Sequence, residues 1–147
     1  MTFRGQHEHS LDAKDRLTIP ARYRATLAEG VVLLAGLDPC IELYTPRGYD
    51  EFSQRFLAPL NPLSKKGRMM ARRFNASASE ESVDSAGRVR LAKHLIEHAG
   101  LEGPCMVVGV DDHLELWNPD RWSEHYAEVD EQAERMAEEL AAGAEAG

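Results

Sequence analysis

The 147-residue sequence predicts an α+β fold, mainly β, in which two tandem half-repeats share one closed, barrel-like core. Three observations predict it. A patterned segment recurs about 72 positions later, short apolar strands alternate with turn residues inside each copy, and helical periodicity is confined to the linker and the C-terminus.

The repeat is explicit. Ser10-Leu11-Asp12-Ala13-Lys14-Asp15-Arg16-Leu17 aligns with Ser82-Val83-Asp84-Ser85-Ala86-Gly87-Arg88-Val89, each carrying a D-x-x-x-R signature. Gly36-Leu37-Asp38-Pro39-Cys40-Ile41-Glu42-Leu43-Tyr44 then aligns with Gly109-Val110-Asp111-Asp112-His113-Leu114-Glu115-Leu116-Trp117, one residue further out of step. Two blocks in one order, separated by a single-residue indel, mark a duplication. A copy of about 45 residues buries too little apolar surface to fold alone, so the two are expected to pack about a pseudo-two-fold axis.

Within each copy a strand enters the D-x-x-x-R turn and a short strand leaves it, at Leu17-Thr18-Ile19 and Val89-Arg90-Leu91. A two-turn helix is expected next, from Pro20 towards Gly30 in the first copy and over Ala92–Ala99, stopped by Gly100, in the second. An apolar strand, a tight turn and a second strand follow: Val31–Ala35 and Ile41–Tyr44 about Asp38-Pro39, then Met106–Val110 and Leu114–Trp117 about Asp111-Asp112. Between the copies, residues 48–74 read as two helices. Tyr49, Phe52 and Phe56 share a face that Pro59 terminates, and Asn61-Pro62 starts a second helix bearing Lys65, Lys66, Arg68, Arg72 and Arg73. At the end, Trp122, Tyr126, Val129, Ala133, Met136 and Leu140 form a heptad stripe on an acidic helix, suited to its own barrel or to a neighbouring subunit. The organisation is therefore repeat 1 over 5–50, a helical connector over 51–78, repeat 2 over 79–122 and an acidic helix and tail over 123–147.

The net charge of −8 conceals an asymmetry. Residues 1–75 hold 12 Lys/Arg against 8 Asp/Glu, whereas residues 76–147 hold 5 against 17. Salt screens charges beyond roughly 8–10 Å, so an acidic tail does not veto a basic face elsewhere. No apolar run nears the roughly 18 residues of a membrane span, and the N-terminus has no apolar stretch to act as a secretion signal, so a cytoplasmic location is expected. Cys40 and Cys105 are too far apart in sequence, and without a C-x-x-C, to suggest a disulfide framework or zinc site.

The chemistry lies in the repeated signature. An Asp opening a tight turn can accept backbone N–H bonds and brace the Arg four positions on through a charge-assisted bond. Gly87 supplies the positive φ such a turn needs; in the first copy Asp15 stands there and tolerates the left-handed region better than most residues. Asp12, Asp84 and Gly87 are thus turn-bracing residues. The arginines they hold are suited to phosphate contact or guanine readout. Lys14, Arg16, Arg22 and Arg24 cluster near the first turn, and Arg88, Arg90 and Lys93 near the second; all seven are candidate DNA contacts. The first turn, in the basic half, is expected to be the better reader.

His94-Leu95-Ile96-Glu97-His98 fits the H-x-x-E-H pattern of some zinc proteases. A protease would need a third ligand and a larger scaffold, so solvent-facing histidines are expected instead. His7-Glu8-His9 reads as a strand. No phosphate-cradling glycine loop and no nucleophile–base pair occurs, so no enzyme, metal, cofactor or small-molecule substrate is expected.

Phe3-Arg4-Gly5 with Leu11-Asp12-Ala13-Lys14-x-Arg16-Leu17-Thr18-Ile19-Pro20-Ala21-Arg22-Tyr23-Arg24 resembles the N-terminal signature of the MraZ family. Asp84-x-x-Gly87-Arg88 and Leu114-Glu115-Leu116-Trp117 resemble its second half, and the likeness spans about residues 3–125. The resemblance implies a double-split, swapped-hairpin AbrB-like β-barrel. It also implies a cytoplasmic, nucleoid-associated regulator that binds double-stranded promoter DNA at short direct repeats, represses the division and cell-wall gene cluster, and forms ring-shaped homo-oligomers. By the same resemblance the DNA-contacting residues fall on Lys14, Arg16 and Arg88. The alternative is an AbrB-type module that holds a protein partner or forms a scaffold without binding DNA.

Overall fold

The computed structural model describes residues 2–146, with side chains as far as residue 143. Eight strands and four α-helices occur in the order β1 (Gln6–Ser10), β2 (Arg16–Thr18), β3 (Val31–Ala35), β4 (Cys40–Tyr44), α1 (Pro46–Phe52), α2 (Lys65–Ser77), β5 (Ser79–Glu81), β6 (Arg88–Arg90), α3 (Lys93–Ala99), β7 (Pro104–Gly109), β8 (Leu114–Trp117) and α4 (Pro119–Ala146). The α+β, mainly β expectation holds.

Six strands form one antiparallel sheet in the order β1-β7-β8-β4-β3-β5, and β2 pairs with β6 as a separate two-stranded ribbon. Exchanging each strand for its repeat counterpart (β1 with β5, β2 with β6, β3 with β7, β4 with β8) reverses this order and leaves it unchanged. The pseudo-two-fold is therefore built into the hydrogen bonding. The hairpins are swapped, since β1 of repeat 1 pairs with β7 of repeat 2 and β5 of repeat 2 pairs with β3 of repeat 1. Neither copy completes a sheet alone.

Equivalent residues that face each other mark the axis. They are Leu17 and Val89 in the ribbon and Glu42 and Glu115 in the sheet. The axis runs from the ribbon through the core to the middle of the sheet. The sheet does not close on itself as the sequence reading expected. Short β2 and β6 pair with each other and not with the six-stranded sheet, and the barrel is completed by packing rather than by a continuous ladder.

One core fills the space between ribbon and sheet, with Leu17, Ile19, Leu33, Ile41 and Leu43 from repeat 1 meeting Val89, Leu91, Leu95, Val107, Leu114 and Leu116 from repeat 2. The outer face of the sheet carries two smaller clusters. Leu34, Tyr44, Leu57 and Phe74 lie with the connector helices, and Cys40, Val108 and Trp117 lie with Trp122 of α4. That double covering explains why β3 is buried at every position instead of alternating.

Four local expectations are revised. Residues 21–29 form a 3₁₀ turn and further turns, not a two-turn α-helix. The Tyr23 hydroxyl is tied to the Arg4 backbone while Leu27 fills the core, and i→i+3 turns serve both anchors. The connector's second helix starts at Ser64, whose Oγ accepts from Gly67 N at 3.2 Å; Asn61 instead spends its carboxamide oxygen on Leu63 N, an Asx-turn. The heptad stripe packs on the barrel only near its start, at Trp122, leaving Tyr126, Val129 and Leu140 exposed. His98 is half-buried and bonded to a carbonyl, not solvent-facing.

Candidate nucleic-acid interface

Each D-x-x-x-R segment closes a hairpin at one end of the ribbon. Asp12 Oδ1 accepts from the backbone N–H groups of Lys14 and Arg16, both at 2.9 Å, and Asp12 Oδ2 accepts from Arg16 Nε at 2.8 Å. Asp84 repeats the pattern with Ala86 N at 3.0 Å, Arg88 N at 2.8 Å and Arg88 Nε at 2.9 Å. One carboxylate thus fixes both the backbone and the arginine it carries. These N–H donors hold the Asp12 and Asp84 carboxyls below the usual carboxylate range, the bond from the arginine backbone being the largest cause. Among the described residues only Nε of each arginine is engaged, which leaves the Nη groups for a ligand.

The third turn residue is left-handed in both copies, with φ +58° at Asp15 and +77° at Gly87. Their carbonyls then reach across the axis. Leu91 N donates to Asp15 O at 2.9 Å and Ile19 N donates to Gly87 O at 2.8 Å. Asp15 therefore performs the backbone task of Gly87, and each hairpin locks the other.

The register places Arg16 opposite Arg90 and Arg88 opposite Thr18. Arg16 and Arg90 line one concavity with Ala13, Lys14 and Asp15. The basic face is composite, drawing on both repeats. Arg24 also belongs beside the ribbon: its Nε donates to Ile19 O at 3.2 Å, and it covers Gly87 so closely that an added Cβ there would lie 2.5 Å from Arg24 Nε. Two of the seven candidate contacts are placed differently. The Arg22 guanidinium lies 5.4 Å over the Tyr23 ring and near Gly5, and Lys93 opens α3; among the described residues no hydrogen bond or ion pair joins either to the ribbon.

The other basic element is α2, but part of its charge is structural. Arg73 donates to the carbonyls of Ala35 and Gly36 at 2.9 and 2.7 Å, and Arg68 donates to Pro62 O at 2.8 Å. The histidines of H-x-x-E-H are separately engaged, His94 Nε2 with Ser77 O and His98 Nε2 with Asp38 O.

Comparison with known proteins agrees with this architecture. The family model described as "MraZ protein, putative antitoxin-like" matches twice, over residues 2–73 and 74–142. The chain belongs to the MraZ family. Proteins named transcriptional regulator MraZ from Lactobacillus delbrueckii subsp. bulgaricus and Ligilactobacillus salivarius are each 37% identical, covering 94% of this chain and 96% of their own length. One from Roseiflexus castenholzii is also 37% identical, over 95% of this chain and 96% of its own. The two MraZ matches divide the chain between the repeats.

Glu42, His113 and Glu115, which form no motif in the sequence, converge on the outer face of the sheet. A signal was present. Glu42 and Glu115 occupy equivalent repeat positions, and equivalent positions in paired antiparallel strands meet on the axis.

Proposed function

We propose that this chain is a sequence-specific, double-stranded-DNA-binding transcription regulator that reads DNA through the β2–β6 ribbon. The observation that carries the reading is the pairing of two rigid, arginine-bearing hairpins across one axis. The Arg16, Arg90 and Lys14 side chains share a concavity there. A two-stranded ribbon is narrow enough to enter the major groove, and arginines fixed at Nε present their Nη groups to phosphates or to guanine O6 and N7. The ribbon's cations act in a local field that the distant acidic tail does not cancel.

The resemblance of the repeated signature to the MraZ family implies that the target is promoter DNA with short direct repeats upstream of the division and cell-wall gene cluster. The outcome there is repression by occupancy, and the chain is nucleoid-associated in the cytoplasm. One ribbon offers few base-reading groups, so useful affinity calls for several ribbons held in a ring and engaging successive repeats. The exposed Tyr126, Val129 and Leu140 of α4 are suited to such self-association. No helix among the described residues is long and apolar enough to cross a membrane.

The test is a shift assay on the duplex upstream of the chain's own coding region. Arg16→Ala should abolish the specific complex while circular dichroism and oligomer size stay unchanged. Undiminished binding by the folded variant would overturn the proposal in favour of a partner-holding module.

A further inference from the structure

The pseudo-two-fold axis meets the outer face of the sheet between Glu42 and Glu115, direct partners in the β4–β8 register. Their strand neighbours Ile41, Leu43, Leu114 and Leu116 point into the main core, so both glutamates point the other way. Like charges directly opposite each other on a sheet are destabilising. Both side chains are nevertheless held in place. Tyr44 Oη donates to Glu42 Oε1 at 3.0 Å, and Trp117 Nε1 donates to Glu115 Oε1 at 3.0 Å, the same arrangement in each repeat. Those bonds engage Oε1 of each carboxylate and leave Oε2 to its other neighbours.

His113 completes the group. Its ring stacks on Tyr44 with centroids 4.8 Å apart, and its Nδ1 lies 2.7 Å from Asp112 Oδ1. Among the described residues Nε2 is buried without a hydrogen-bond partner, 3.5 Å from Glu115 Oε2. A carboxylate on Nδ1 with Nε2 free and directed at oxygen ligands is the orientation that metal-binding histidines adopt. One ligand atom from each of Glu42, His113 and Glu115 lies within 4.8 Å of the others. Tetrahedral zinc, with bonds of about 2.0–2.1 Å, sets its ligands roughly 3.4 Å apart. The His113–Glu115 edge already has that length, and side-chain rotation can close the rest. Cys40, the repeat counterpart of His113, stands opposite Trp117, on the other side of the Glu42–Glu115 pair from His113. An imidazole ligand favours zinc-class ions over magnesium or calcium.

We propose that Glu42, His113 and Glu115 form a binding site for a zinc-class divalent cation, with water as the fourth donor. The ion would relieve the facing carboxylates and tie β4 to β8, joining the repeats at the end of the axis opposite the ribbon. It is a structural clasp, independent of DNA contact.

The experiment is calorimetric titration of chelator-treated full-length protein with Zn²⁺, paired with visible absorption after Co²⁺ loading and with thermal melting. One Zn²⁺ per chain, four-coordinate Co²⁺ bands and a raised Tm are expected. His113→Ala and Glu115→Gln should each weaken binding by more than about 100-fold, beyond the loss typical of an outer-shell change. Glu42→Gln serves as the further variant should either fail the circular-dichroism check for folding. The pair His94→Ala/His98→Ala should bind as the parent does. Absence of saturable Zn²⁺ binding, its survival in folded His113→Ala, its loss in the His94/His98 variant, or equal competition by Mg²⁺ would overturn the proposal.

Discussion

Replacing Asp15 by glycine separates the two roles of the first turn. Asp15 holds φ +58°, donates its N–H to Asp12 O at 3.1 Å and gives its carbonyl to Leu91 N at 2.9 Å. A left-handed L-residue costs about 1–2 kcal/mol, with Asp at the low end, while glycine forfeits about 0.5–1 kcal/mol of unfolded-chain entropy. Asp15→Gly should therefore gain only about 0.5 kcal/mol, whereas Asp15→Ala, without aspartate's local tolerance, should lose about 1 kcal/mol. For a chain of this size those differences move Tm by roughly 1–2 °C up and 2–4 °C down. The effect on DNA should be larger. A phosphate contacted by Lys14 or Arg16 sits on the order of 7 Å from the Asp15 carboxylate. At an effective dielectric of about 40–80, removing that repulsion contributes roughly 0.6–1.2 kcal/mol, or about 3- to 8-fold in affinity. Fluorescence anisotropy with a labelled operator duplex, at two salt concentrations, reads the change directly. Alanine as stable as glycine would refute the turn argument, and unchanged or weaker DNA binding by Asp15→Gly would refute the electrostatic one.

Other outcomes follow from the same geometry. Gly87→Ala should lower stability by about 1–2 kcal/mol, because φ is +77° and the new Cβ would meet Arg24; adding Arg24→Ala should restore only the steric part, as denaturant melts would show. Asp12 and Asp84 have carboxyl pKa values depressed by folding, so their stabilisation is present above about pH 4 and is lost as pH falls through the lower folded values; Asp12→Asn/Asp84→Asn should flatten the stability–pH curve below pH 4, measured by urea titration at stepped pH. Leu17→Ala empties a fully buried site on the axis against Val89 and should cost about 2–5 kcal/mol in the same urea assay.

The parts of the fold that repeat were legible in the sequence, because a duplication carries information that single-residue propensities lack. The D-x-x-x-R alignment located both hairpins, and the later block located β3, β4, β7 and β8. Boundaries without such support moved. Residues 21–29 have alanines and a leading proline, which favour a helix locally, yet the tertiary anchors of Tyr23 and Leu27 decide their geometry. Charge clustering along the chain named seven basic residues but could not show that Arg90 joins Arg16 across the axis while Arg22 turns towards Tyr23. The Glu42–His113–Glu115 seam was least legible. Glu42 lies about 70 positions from His113 and Glu115 in sequence, and strand register brings them together.

The central claim is that DNA is read by the ribbon and not by the basic helix α2. The direct test is the salt dependence of operator affinity for the parent chain, Arg16→Ala/Arg90→Ala and Lys65→Ala/Lys66→Ala. Each lost phosphate contact should reduce the slope of log affinity against log salt by about 0.9. The ribbon pair is predicted to lose about 1.8 in slope, together with preference for operator over random duplex, and the α2 pair to match the parent in both. A parental slope and preference in the ribbon variant, with both lost in the α2 variant, would contradict the account.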